Sequence, residues 1–200
     1  MSVVHRTWPL PRDERVMLAL VEELRRNKLL GPKNRWGSGD ELLELSGGPT
    51  SDLAEFSLLM GPPTLRAVAR QPRRDMLPAG GINDGSPLAG KPQLGPDPAP
   101  LRVEIECWNG AQWQYSASHL GTNLGATLRT LESRTFALPD VGDGLEKLPA
   151  LPGAFAGTLA YDLVQWTQPW RLRHPPEEDA VLAILWRVDR WLIHDRAAST

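Results

Sequence analysis

In the N-terminal part of the chain, apolar positions recur with a helical period. Val16, Leu20 and Leu24 stand four apart, Met17 and Val21 widen the stripe, and Arg15, Glu22, Arg25 and Arg26 fill the opposite side. Residues spaced this way share one face of a helix, so the pattern predicts an amphipathic helix. Pro11, Asp13 and Glu14 mark its start, since acidic groups favour the positive end of the helix dipole. The Gly31-Pro32 pair stops it near Leu29 and Leu30. A second helix is expected from Ser51 or Asp52 to Met60, broken by Gly61-Pro62-Pro63, and a short third from Thr64 to Arg70.

From Leu101 the period changes to two. Leu101-Arg-Val-Glu-Ile-Glu-Cys107 alternates apolar with charged or polar residues, the signature of a half-buried strand. Trp108-Asn109-Gly110-Ala111 supplies a turn, and residues 112–116 a return strand, because Asn-Gly suits a tight hairpin. Leu120, Leu124, Leu128 and Leu131 then suggest a helix over 118–133. A Pro- and Gly-rich connector over 139–153 leads to the small apolar run 154–160, a strand in which Gly157 lets a neighbouring backbone approach. A helix is expected to begin at 161–166. Two strands follow, over 179–186 and 191–195, joined at Val188-Asp189-Arg190. Helices and strand pairs without a repeating βαβ period predict an α+β fold, with antiparallel sheet and flanking helices.

Composition adds a division. Gly and Pro make up 18 and 19 of the 200 residues, and residues 61–100 alone hold nine prolines and six glycines. Turn dipeptides there include Gly80-Gly81 and Asp84-Gly85. Three zones follow: a mainly helical segment over 1–70, a Pro/Gly-rich loop or linker over 71–100, and an α+β region over 101–200.

Charge and chemistry mostly exclude. The formal net charge is −2, nearly balanced in both halves, so no basic stripe is present to displace counterions from nucleic acid. The densest basic spot, Arg66, Arg70, Arg73 and Arg74, reads as a solvated helix end. The single cysteine, Cys107, reads as a half-buried strand thiol, and one thiol makes no internal disulfide. No apolar run approaches the ~18 residues of a membrane span, and the N-terminus lacks an apolar signal core, so a cytoplasmic protein is expected. His5, His119, His174 and His194 stand at no metal-ligand spacing, and His194 reads as an exposed strand end. Glu177-Glu178-Asp179 reads as a solvated loop. No phosphate loop, dinucleotide fingerprint or nucleophile elbow occurs. The eight tryptophans read as packing at hairpin ends and on a sheet face, with an aromatic binding surface as the alternative.

One segment carries a resemblance. Leu151-Pro-Gly-Ala-Phe-Ala-Gly-Thr-Leu-Ala-Tyr-Asp-Leu-Val-Gln-Trp-Thr-Gln-Pro169 resembles a stretch of the chorismate-utilising enzymes, the large components of anthranilate synthase and 4-amino-4-deoxychorismate synthase. The family pattern is G-x-L-x-Y-D/E on a strand running into a helix, here Gly157, Leu159, Tyr161 and Asp162. An apolar strand and a second strand ending in apolar-Asp follow, here residues 180–186 and 191–195. Trp166-Thr-Gln-Pro169 with Trp186 is closer to the aminodeoxychorismate branch, and both branches stay open. The physical roles suggested for the motif are structural: close approach at Gly157, a buried ring at Tyr161, and a helix cap at Asp162. Leu42-Leu43-Glu44-Leu45-Ser46 is similar to a Leu-Leu-Glu-Ser segment of the family's bound-tryptophan site. Leu45 is an extra residue, and a helix rather than the required strand is expected to follow, so tryptophan binding is not assigned.

The resemblance covers residues 151–196 and implies an N-terminal domain with paired sheets. The family's catalytic domain lies C-terminal to this segment and supplies the magnesium ligands and acid/base groups. The expectation is therefore a scaffold or regulatory domain, or a truncated form, of such a synthase, serving aromatic amino acid or folate biosynthesis. Alone it would be inactive, with no catalytic, cofactor or metal residue of its own. Its partner would be a glutamine amidotransferase subunit or a separate catalytic chain. The alternative is a non-enzymatic interaction domain unrelated to that family.

Overall fold

Asp13 starts the helix α1 (Arg15–Arg26) by accepting the Arg15 N–H on its side chain at 2.9 Å and the Val16 N–H on its carbonyl at 3.1 Å. The buried centre of its stripe is Met17 and Val21, with Leu20 and Leu24 half-buried beside them. The helix ends in a left-handed turn at Lys28 (φ 57°), where Lys28 N–H reaches the Arg25 carbonyl and Leu29 N–H the Leu24 carbonyl. This paired closure satisfies the last carbonyls of the helix, in a position that glycine usually takes. In this computed structural model, residues 4, 6–13, 15–45, 55–71, 73, 101–121, 129, 131, 153–166, 177–198 and 200 are described.

The remaining elements form two antiparallel sheets, which makes the fold α+β. One sheet has three strands in the order β1 (Leu43–Glu44), β2 (Phe56–Met60) and β8 (Trp191–Asp195). The other has five, ordered β5 (Trp113–Gly121), β4 (Leu101–Trp108), β3 (Leu65–Arg70), β7 (Val181–Val188) and β6 (Ala154–Leu159). A 3-10 helix (Tyr161–Trp166) follows β6.

Two expected helices are strands instead. The stretch expected to be helical up to Met60 forms β2, and the one from Thr64 to Arg70 forms β3, at the centre of the five-stranded sheet. Leu, Ala and Arg favour helices locally, but β3 pairs along its whole length with β4 and β7, and pairing outweighs propensity differences of a few tenths of a kcal/mol per residue. The helix expected from Ser118 starts later, because β5 runs on to Gly121. Arg129 and Leu131 are helical, while the rest of that stretch lies outside the described residues. The 71–100 loop, apart from residues 71 and 73, and the 139–152 connector also lie outside them.

Two strand tracks cross from one sheet to the other at a shared corner. β2 passes into β3 through Gly61-Pro62-Pro63, and β7 passes into β8 through Asp189 and Arg190. There Gly61 N–H donates to the Arg190 carbonyl at 2.8 Å. A Cβ on Gly61 would stand 2.8 Å from Arg190 Cβ, so glycine is required by the approach itself. The loop after α1 is fastened to the same corner: Ser38 N–H donates to the Pro63 carbonyl at 2.9 Å.

Each sheet has its own core. Leu65, Ala67, Ala69, Val103, Ile105 and Ala183 line one face of the five-stranded sheet and are covered by Leu131 and Leu163. Met17, Val21, Leu30 and Leu59 fill the space between α1 and the three-stranded sheet. Among the described residues no helix is long and apolar enough to cross a membrane.

Candidate functional site

Strand alternation gives the five-stranded sheet a second face of charge and indole. Arg66 and Arg70 point away from the core residues of β3, and the register sets Arg66 opposite Glu106 and Trp186. Arg66 Nε donates to Glu106 at 2.6 Å, and Arg70 Nε to Glu104 at 2.7 Å. Arg102, itself buried, is paired with Asp179. The basic spot expected at a solvated helix end is thus, for Arg66 and Arg70, a set of cross-strand ion pairs. Asp179 lies in the expected loop, with Glu177 and Glu178 exposed beside it, and its half-exposed side chain reaches Arg102.

Asp40, in the loop before β1, fastens that loop to this face. Its Oδ2 accepts the indole N–H of Trp186 at 2.9 Å and of Trp113 at 3.1 Å. Arg66 stands 3.9 Å from the same oxygen and lies over the Trp113 ring at 4.6 Å. Trp113 meets Trp108 edge to face at 5.5 Å across the hairpin. Donors and acceptors answer each other inside this cluster, so its chemistry is that of a clamp. The hairpin turn is a four-residue loop closed by Asn109, whose side chain accepts the N–H groups of Ala111 and Gln112, both at 2.9 Å.

The motif residues lie together at the other side of the sheet, on the edge strand β6 and the 3-10 helix. Gly157 pairs with Leu185, and a Cβ there would stand 1.9 Å from the Ile184 carbonyl oxygen and 2.9 Å from Leu185 Cα. No side chain fits this contact without moving a strand. Leu159 is 64% exposed and Tyr161 83%, while Val181 at the start of the neighbouring strand is 42% exposed. The Tyr161 ring, expected to be buried, faces solvent, because Leu163 is the residue that turns under the sheet into the core. Asp162 is not the cap: it lies within the first turn, and Ala160 supplies the carbonyl that accepts the Leu163 N–H at 3.1 Å.

The other candidate groups are dispersed. His194, expected to be exposed, is fully buried on β8, with Nε2 2.9 Å from the Pro11 carbonyl. A carbonyl only accepts, so Nε2 carries the hydrogen. Its burial follows from the N-terminal segment lying over β8, which no local pattern signals. Cys107, expected half-buried, is exposed. His119 lies on β5, and His5 and His174 lie outside the described residues. Glu41, hydrogen-bonded to Arg25 at 3.0 Å, raises that guanidinium above its ordinary pKa, first through this bond and then through its charge. Among the described residues no three His, Cys, Asp or Glu side chains gather in a way that would hold a metal ion.

Fold and site together define a two-sheet α+β protein with an exposed apolar edge. The chain matches no protein-family model, no curated protein and no solved structure.

Proposed function

We propose that this chain serves as the N-terminal, non-catalytic domain of a chorismate-converting large component of the anthranilate or aminodeoxychorismate synthase kind. Its edge strand β6 docks a chorismate-binding catalytic domain. The observation that carries the reading is the exposure of Leu159 and Tyr161 around the sterically fixed Gly157. Apolar side chains on an open sheet edge invite unwanted pairing, and proteins normally cover such edges. A covering domain gives these motif residues a purpose that packing within the chain does not.

Two further features support it. The resemblance implies paired sheets, and a strand–helix–strand–strand order, as in β6, the 3-10 helix, β7 and β8. A strand, β2, follows Leu42-Leu43-Glu44-Leu45-Ser46 and pairs with β1, as the resemblance requires. In the family, ammonia from a glutaminase subunit replaces a chorismate hydroxyl while magnesium holds the substrate. The resemblance assigns that ion's ligands to the catalytic domain.

The test uses the purified chain with chorismate, magnesium and ammonium, with products separated by chromatography. Neither anthranilate nor aminodeoxychorismate should form, and turnover would overturn the non-catalytic assignment. The coding frame beyond codon 200, or a companion gene in the same genome, should encode a chorismate-binding domain. A genome without one would leave the unrelated interaction domain as the better account.

A further inference from the structure

At the corner where the two strand tracks cross, a cleft of about 230 Å3 opens between the end of α1 and the three-stranded sheet. Leu24, Leu30, Leu59 and Leu192 form its apolar lining, and Trp36 and Arg190 stand at it as well. The Arg190 guanidinium lies 4.9 Å from the centroid of the Trp36 ring, and that of Arg35 lies 5.2 Å from it. Most arginines of the sheets are paired with carboxylates, as Arg66, Arg70, Arg102 and Arg187 are. Among the described residues, neither Arg35 nor Arg190 has such a partner. Stacking on an indole occupies the flat face of a guanidinium and leaves its in-plane N–H groups free to bind an anion.

The frame around the cleft is built in advance. Asn34 Oδ1 accepts the N–H groups of Trp36 at 2.8 Å and Gly37 at 3.0 Å, while its Nδ2 donates to the Gly31 and Ser38 carbonyls at 2.7 and 2.8 Å. Gly37 packs against the Pro62 and Pro63 carbonyls, where a Cβ would stand 2.7 Å from each oxygen. The Arg190 backbone is held by Gly61. Both groups at the cleft therefore sit on fixed backbone, which lowers the ordering cost of binding.

We propose that this corner is a binding site for a small monocyclic aromatic carboxylate. Its ring enters the leucine-lined cleft against Trp36, and its carboxylate pairs with Arg190, supported by Arg35. The size fits one ring, since the cleft falls below the roughly 300 Å3 at which pockets for larger ligands begin. The uncompensated positive charge selects an acid over a neutral molecule of the same shape. The site is separate from the β6 edge, and it stands whether or not the chorismate reading does.

Titration of the full chain with benzoate, followed by two-dimensional NMR and Trp36 indole signals, tests it. Benzoate should bind saturably and shift the Trp36 and Arg190 resonances. Benzyl alcohol and acetate should each bind at least about tenfold more weakly, because each lacks one of the two recognition elements. Arg190→Gln should lower benzoate affinity to that of benzyl alcohol, and Arg190→Lys should retain part of it. Non-saturating benzoate shifts, equal binding of benzyl alcohol or acetate, or unchanged affinity in a folded Arg190→Gln chain would each overturn the proposal. The comparison of three probes on the unaltered chain holds even if the variant fails to fold.

Discussion

Replacing Gly157 by alanine should be among the most damaging single-methyl changes in this protein. The new Cβ would stand 1.9 Å from the Ile184 carbonyl oxygen, against a normal carbon–oxygen contact of about 3.3 Å. The obstacle is backbone, so no rotamer change relieves it, and β6 must retreat from β7 by about 1.4 Å. That displacement stretches the flanking ladder hydrogen bonds beyond useful length. Losing roughly two of them costs about 1 kcal/mol each, and loosening Phe155 from the core adds about 1 kcal/mol. The sum, about 3 kcal/mol, should lower the urea midpoint by about 1–1.5 M at unchanged slope. Gly110→Ala is the control: nothing lies within 4 Å of its Cβ, but its φ of +100° strains any side chain. Its cost should be only about 1–2 kcal/mol. A Gly157→Ala midpoint equal to that of the parent chain, or of Gly110→Ala, would refute the close-approach argument.

Other substitutions probe the fastenings. Lys28→Gly should stabilise the chain by about 0.5–1 kcal/mol, read as a slightly higher Tm, because it removes a side chain from the left-handed turn after α1. Asp40→Ala strands two indole N–H groups; with Asp40 34% exposed, the cost should be about 2 kcal/mol, accompanied by a red shift of tryptophan emission. A variant with parental stability and emission would show that the clamp does not hold the loop. His194→Ala removes a fully buried ring and its link to Pro11, so limited proteolysis should cut within residues 6–13 faster than in the parent, at a stability loss of about 2–4 kcal/mol. Cleavage there at the parental rate would contradict the packing of the N-terminal segment on β8.

What could be read from the sequence depended on whether the signal was local. The α1 stripe, the alternation in β4 and the terminal strands β7 and β8 announce themselves, since each repeats an apolar position at its own period. β3 carried a usable signal that helix propensity masked: Leu65, Ala67 and Ala69 alternate with Arg66 and Arg70, and the arginines answer Glu106 and Glu104 across the sheet. β2 was harder, because a serine buried at position 57 interrupts its apolar run. The crossing of the two tracks at Gly61 and Arg190, the Asp40 clamp and the burial of His194 join residues far apart in sequence. Nothing local marks them. Gly157 could be recognised as a close-approach glycine, whereas the exposure of Tyr161 follows from β6 being an edge strand, which only the strand order reveals.

The proposed role rests on the β6 edge, and binding at that edge tests it most directly. The chain should be titrated by calorimetry with the chorismate-binding domain encoded in the same genome. The account predicts a one-to-one complex that weakens at least about tenfold when Leu159→Lys and Tyr161→Ala are combined, two exposed changes that should leave the fold intact. No complex, or one indifferent to that pair of substitutions, would contradict it.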